Sequence, residues 1–92
     1  MKQLEQFTKE EIEKVESIML DNSYKIEKFI DYFYFLAFNF GWTWGDEDIN
    51  RVTIYSLIKE HIFDCLVYGR VSSGRIMVEY SKENGLDLFI EV

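Results

Sequence analysis

The sequence contains no proline, one cysteine and one histidine, and its five glycines all lie beyond residue 40. A single thiol cannot close an internal disulfide, so the apolar core must hold the fold together. No apolar run approaches the ~20 residues that a membrane-spanning helix needs, because Asp31 and Asn39 interrupt the most apolar segment. The opening residues MKQLE are not followed by an apolar run, so we expect no signal peptide and a cytoplasmic protein.

Basic residues are also scarce, with 10 lysines and arginines against 17 acids and a net charge of −7. This balance disfavours direct binding to nucleic acid or to an anionic membrane and favours a positively charged protein partner. In contrast, 48% of the residues are hydrophobic and 17% are aromatic, enough to build a core in a chain of 92 residues. Because the sequence has no repeats or linkers, residues 1–92 are predicted to form a single domain. A domain of this size could depend on a second copy of the chain for part of its stability.

Three helices are predicted from the apolar periodicity. Thr8 and Glu11 have the spacing of a capping box, so the first helix should begin near residue 9. The second, YKIEKFIDYFYFLAFNF, ends at Gly41 and is apolar almost all round, which makes it either central in the domain or shared with another chain. A strand over DYFYFLAFNF is the alternative, but the helical stripe is longer than strands usually are.

The third helix should begin after a cap at Asp48 or Asn50 and end at Gly69. Apolar residues then alternate in RIMVEY and in LDLFIEV, with the turn signal Asn84-Gly85 between them. The predicted fold class is therefore α+β, with three helices followed by a C-terminal antiparallel β-hairpin.

The segment FGWTWGDEDIN, residues 40–50, is the first candidate site. Two tryptophans two residues apart both face the core only if the loop bends back on it; otherwise one is exposed. An exposed tryptophan beside acids would suit docking on a basic surface. We therefore predict a partner-binding site, and packing on the core is the alternative interpretation. The predicted site comprises Trp42, Trp44, Asp46, Glu47 and Asp48.

The C-terminal third offers two further candidates. One is an acidic face of the predicted hairpin, for which a solvated sheet face is the alternative. The other is the RVSSGR segment, which reads as a loop whose backbone N–H groups and arginines could bind a small anion. The acidic face comprises Glu79, Asp87, Phe89 and Glu91. The anion site comprises Arg70, Ser72, Ser73 and Arg75.

Neither a metal site nor a catalytic site is predicted. Asp46, Asp48 and Asn50 match the first calcium-loop positions, but the glycine and the closing glutamate of that loop are missing. His61 and Cys65 share a helix face, yet two ligands are too few for structural zinc, and a buried histidine beside an inert thiol is the simpler interpretation. We expect no cofactor and no enzymatic activity.

Two segments, SSGRIMVEYSKENGLDLFIEV and FNFGWTWGDED, resemble small proteins encoded by bacteriophages and related mobile elements. The resemblance covers roughly half of the chain and includes no diagnostic motif. It implies an accessory protein made in the cytoplasm of an infected bacterium. Many such proteins are acidic, non-enzymatic inhibitors of host defence, anti-CRISPR proteins among them.

These features lead to two expectations of function. The first is an acidic inhibitor that occupies a basic, nucleic-acid-binding surface of a bacterial defence protein, with carboxylates in place of phosphates. The second is a homo-oligomeric nucleotide sponge that uses the arginine-serine segment at residues 70–75. The nucleotide sponge is expected to self-associate, whereas the inhibitor could act as a monomer or as an oligomer.

Overall fold

A computed structural model describes residues 7–91 of the chain. The first residues of the chain and Val92, the end of the predicted last strand, lie outside this range. The elements in chain order are α1 (Lys9–Asp21), α2 (Ser23–Phe40), β1 (Thr43–Trp44), β2 (Glu47–Asp48), α3 (Arg51–Tyr68), β3 (Arg70–Ser73), β4 (Ile76–Ser81) and β5 (Gly85–Ile90).

The helix ends follow the sequence signals closely. Thr8 accepts a hydrogen bond from the Glu11 amide and Glu11 reaches back to Thr8, so the predicted capping box is confirmed. Of the two candidate caps of α3, Asn50 is the one used, and its side chain accepts from the Thr53 amide. Gly41 ends α2 in the left-handed conformation that glycine adopts without strain.

The C-terminal sheet has one more strand than predicted. Strands β3, β4 and β5 pair antiparallel in that order, so RVSSGR is a strand and a turn and not a loop. Gly74 and Arg75 form the turn from β3 to β4 with φ of 56° and 75°, and two consecutive positive φ angles fit the type I′ turns that join strands most tightly. Strand β3 has four residues and a single apolar side chain, Val71, so it shows no alternation from which a strand could be identified in the sequence.

The central element is α3, which is packed between α1 and α2 on one side and β3 and β4 on the other. Five consecutive α3 residues, 61–65, are buried because neighbours surround that part of the helix. The inner face of the sheet contributes Ile76, Val78 and Leu86 to the same core. The chain therefore forms the expected α+β arrangement of three helices and an antiparallel sheet.

The second helix is not central, although its sequence suggested either that or an intermolecular contact. One face is buried through Ile26, Ile30, Phe33 and Ala37. Its second aromatic stripe faces outward, and Phe40 at the helix end is exposed as well. The exposed stripe comprises Tyr32, Tyr34, Phe35 and Phe38.

Candidate functional site

The tryptophan-containing segment between α2 and α3 forms a miniature hairpin. Strands β1 and β2 pair Thr43 with Asp48 and Trp44 with Glu47. Gly45 occupies the first turn position with φ of 62°, a conformation that costs a non-glycine residue about 1 kcal/mol or more. We call residues 42–49 the tryptophan hairpin. It bends the segment back onto the protein, which is the condition for both tryptophans to face the core.

Trp42 is half-buried in a cluster of aromatic rings. Its ring lies 5.7 Å from that of Phe33 and 5.6 Å from that of Phe40, measured between centroids. The guanidinium of Arg75 also lies over the Trp42 ring, at 4.3 Å from its centroid, a distance suited to a cation–π interaction. Trp42 thus joins the end of α2 to the turn between β3 and β4.

Trp44 makes a second connection to the same turn. Its ring stacks on Phe33 with centroids 5.9 Å apart, and its Nε1 donates a hydrogen bond to the Gly74 carbonyl at 3.2 Å. Both tryptophans are therefore partly buried against the core, as in the packing interpretation. If the hairpin binds a partner, these two rings support the site more than they anchor the partner.

The three acids of the hairpin have a different environment. Asp46, Glu47 and Asp48 are all exposed, and none forms an ion pair with another residue of the 7–91 range. Because Asn50 caps α3, these carboxylates are not needed to satisfy its first backbone amides. The hairpin tip is consequently a concentrated, uncompensated negative charge at the surface.

A cleft of about 320 Å³ lies between this hairpin and the last turns of α2. Phe38 stands at its edge with 78% of its surface exposed, and neighbouring Phe40 is 64% exposed. The lining includes one acidic residue, Asp48, and comprises Tyr34, Ala37, Phe38, Gly41, Trp42, Thr43, Asp48 and Ile49. Exposed aromatics and one acid in a concave site could receive the apolar stem and cationic head of an arginine or lysine.

The sequence did not identify Tyr34, Phe38 and Phe40 as site residues. The available signal was the second aromatic stripe of α2, where a surface helix usually has polar residues. That stripe does not reveal which aromatics stand next to the acids, since this depends on the fold of the tryptophan hairpin.

The acidic face predicted on the sheet is largely compensated. Glu79 and Asp87 lie directly opposite each other, and Phe89 lies beside Met77. Arg70 donates two hydrogen bonds to Glu79, at 2.6 and 2.8 Å, and Lys25 lies 4.0 Å from Asp87. Glu91 continues the strand through its amide, which donates to the Arg75 carbonyl. The pattern fits a solvated sheet face better than an acidic docking strip.

The predicted anion site is not assembled in the structure. Arg70 begins β3, whereas Arg75 lies in the turn after that strand, and each already has a partner, Glu79 for the first and the Trp42 ring for the second. Ser73 is engaged through its hydroxyl with His61 Nε2 at 3.0 Å. Ser72 lies exposed on the edge strand. These residues are brought to one strand and its turn but do not converge on a common point.

His61 and Cys65 occupy the core beneath β3 and β4. Burial lowers the pKa of His61, and this effect outweighs the nearby charges of Asp64 and Glu60. Burial also raises the pKa of the Cys65 thiol to about 11, and its Sγ contacts the Val78 carbonyl at 3.3 Å. A neutral thiol is a poor nucleophile and a poor metal ligand.

Within residues 7–91, no three histidine, cysteine, aspartate or glutamate side chains form a group that could hold a metal ion. None of the helices described there combines the length and apolar character needed to cross a membrane. Comparison of the chain with protein-family models, with curated proteins and with solved structures gives no match.

Proposed function

We propose that this protein is a non-enzymatic binding protein that inhibits a bacterial defence protein by covering a basic, nucleic-acid-binding surface. The observation that carries the proposal is the cleft between α2 and the tryptophan hairpin, which is lined by the exposed aromatic residues Tyr34 and Phe38 and by the exposed acid Asp48. The resemblance of two segments to phage-encoded proteins suggests the bacterial setting.

The chemistry of the cleft suits an arginine or lysine on a basic partner. A cation over an aromatic face gains ~0.5–2 kcal/mol depending on how far it is desolvated, and the carboxylate of Asp48 can accept its hydrogen bonds. Asp46 and Glu47 extend the negative charge along the hairpin tip. Such an arrangement presents carboxylates where a nucleic acid would present phosphates, while the aromatic rings supply apolar contact.

The net charge of the whole chain also supports binding to a basic partner. With a net charge of −7, the protein attracts basic surfaces over distances of about a Debye length, ~8 Å at physiological salt. This attraction raises association rates, and the cleft supplies the short-range specificity.

The test is capture from a bacterial lysate with tagged wild-type protein and four variants. Phe38→Ala and Asp48→Asn alter the cleft, and the matched substitutions Phe89→Ala and Asp87→Asn alter the outer face of the sheet. We expect a basic protein to be retained at low salt by the wild type and by both controls. Each cleft variant should bind it at least about tenfold more weakly, the effect of losing an interface anchor.

Occlusion is tested on the captured protein itself. Its affinity for nucleic acid, measured with and without the purified inhibitor, should fall in proportion to the inhibitor added. Equal capture by cleft and control variants, capture that is insensitive to salt, or unchanged nucleic-acid binding would each contradict the proposal. Phe38→Ala is a sharper probe than Trp44→Ala because Phe38 is exposed, whereas Trp44 packs on the core.

A further inference from the structure

The outward side of α2 carries a ridge of exposed side chains, one of which, Asp31, accepts a hydrogen bond from Arg51 of α3. Tyr24, Lys28, Asp31 and Phe35 follow each other at intervals of four, three and four residues, the spacing that places side chains along one line of a helix. All four are exposed, with 76% of Tyr24 and 61% of Phe35 accessible to solvent. We call these four residues the outer ridge.

The outer ridge is large enough to contribute to a protein interface. Each aromatic side chain offers on the order of 200 Å², so Tyr24, Phe35 and the adjacent exposed Tyr32 present about 400 Å² of accessible surface. This is roughly half of the ~800 Å² that each partner buries in a standard-size interface. The charged side chains of the ridge add to it.

The charge of the outer ridge differs from that of the rest of the molecule. It carries one cation, Lys28, and one anion, Asp31, on a chain whose net charge is −7. Arg51 donates hydrogen bonds to Asp31 and Glu27, so this region of α2 is close to neutral. A strongly basic partner would find little attraction here, in contrast to the tryptophan hairpin.

The order of charges along the outer ridge is complementary to that of a second copy of the chain. If two α2 helices pair antiparallel about a two-fold axis midway between residues 29 and 30, Lys28 lies opposite Asp31 of the second copy, and the reverse pair forms by symmetry. The same register places Tyr24 opposite Phe35 of the second copy, on both sides of the charged pairs. Opposite charges and aromatic rings thus meet in all four ridge positions.

Another antiparallel register would bring Phe35 opposite Phe38 of the second copy. It would also set Asp31 beyond the end of the partner helix, because α2 stops at Phe40. Lys28 and Asp31 would then face no opposite charge on the second copy, and only the last turns of the helices would overlap. Charge complementarity therefore selects the register centred between residues 29 and 30.

We propose that the protein forms a two-fold symmetric homodimer through the outer ridge, in this register. Antiparallel pairing places the C-terminal ends of the two α2 helices on opposite sides of the dimer. At a rise of 1.5 Å per residue, the two clefts are roughly 30 Å apart. If the function proposed above holds, the dimer would be a bivalent inhibitor; the pairing itself does not depend on that function.

The register is tested by disulfide trapping in purified protein. The double variant Tyr24→Cys/Phe35→Cys should form a covalent dimer on mild oxidation, because position 24 of one chain faces position 35 of the other. Tyr24→Cys alone should not, since its two copies are about 16 Å apart along the helices. The native Cys65 is buried and does not interfere. A covalent dimer from Phe35→Cys/Phe38→Cys without one from Tyr24→Cys/Phe35→Cys would overturn the register and with it the proposal.

Sedimentation of the purified protein tests the dimer itself. Phe35→Glu should weaken dimerisation more than roughly tenfold, whereas the matched control Phe89→Glu on the sheet should not change it. Lys28→Glu and Asp31→Lys should each weaken the dimer, and the combined variant should restore it, because the swapped charges again face each other. Circular dichroism checks that each variant folds.

A wild-type protein that stays monomeric at all concentrations would overturn the proposal. Loss of lysate capture in Phe35→Glu, together with a monomeric wild type, would assign the outer ridge to a different partner and also overturn it. Because these assays use the purified chain, a failure of the inhibitor function would leave their result unaffected.

Discussion

At the scale of single residues, His61 shows how the core decides a side chain's chemistry. It is one of two buried polar residues in the described core, with Asp64 three positions away. Its Nε2 meets the Ser73 hydroxyl, while Nδ1 has no hydrogen-bond partner among residues 7–91. Protonating this ring would place a charge in the core, and burial therefore lowers its pKa in spite of the nearby Asp64 and Glu60.

A pH dependence follows from this shift. Above the ordinary pKa of 6.5, His61 is neutral in both the folded and the unfolded chain, so its contribution to the free energy of unfolding does not change with pH. As the pH falls below 6.5, the unfolded chain takes up the proton first, and the free energy of unfolding decreases. We expect the ring resonances of the one histidine to titrate in NMR with a midpoint below 6.5. A midpoint at or above 6.5 would contradict this account.

At the scale of elements, two tight turns hold the candidate site in place. The tryptophan hairpin and the turn at Gly74 meet where the Trp44 indole lies directly on Gly74. A Cβ added to Gly74 would be 2.5 Å from Trp44 Nε1, whereas one added to Gly45 meets nothing within 4 Å. Both glycines have positive φ, at 56° and 62°, so only the contact with Trp44 distinguishes them.

This difference makes the two glycines a matched pair of variants. Gly45→Ala should lower the free energy of unfolding by about 1–2 kcal/mol through backbone strain alone. Gly74→Ala should lower it by about 2–4 kcal/mol, because the indole must also move and lose its hydrogen bond. Chemical denaturation followed by tryptophan fluorescence measures both effects. Equal destabilisation by the two substitutions would show that the contact between Trp44 and Gly74 contributes nothing to the free energy of unfolding.

At the scale of the whole molecule, the two proposed interfaces respond to salt in opposite directions. In the proposed complex, a basic partner is attracted to the tryptophan hairpin, and dissolved ions screen that attraction. In the proposed dimer, the outer ridge joins two chains that each carry a net charge of −7, and ions screen their mutual repulsion. The two surfaces can therefore be separated by ionic strength alone.

We expect dimerisation to strengthen when salt is raised from low to physiological concentration, where the Debye length shortens from ~30 Å to ~8 Å. Capture of a basic partner should weaken over the same range. Sedimentation for the first and a binding titration for the second provide the measurements. A dimer that dissociates as salt rises would indicate that local ion pairs outweigh the overall repulsion.

Much of this structure was determined locally and could be predicted from sequence. The caps at Thr8, Asn50 and Gly41 satisfy backbone groups with neighbours a few residues away, so the motif itself contains the required information. The alternation that predicted β4 and β5 likewise follows from the two-residue period of a strand beside a core. These signals identified the three helices, the last two strands and the acidic tip of the tryptophan hairpin.

The tertiary structure alone decided which apolar faces are covered. Periodicity shows that α2 has two apolar stripes, but it does not show that α3 takes the central position and leaves one stripe outside. Likewise β3 is a strand because β4 pairs with it, and Trp44 turns inward because Gly74 lies thirty residues away to receive it. Local sequence determines which groups need partners, whereas long-range packing determines which partners they find. Here the packing brought Phe38 and Asp48 into the lining of one cleft.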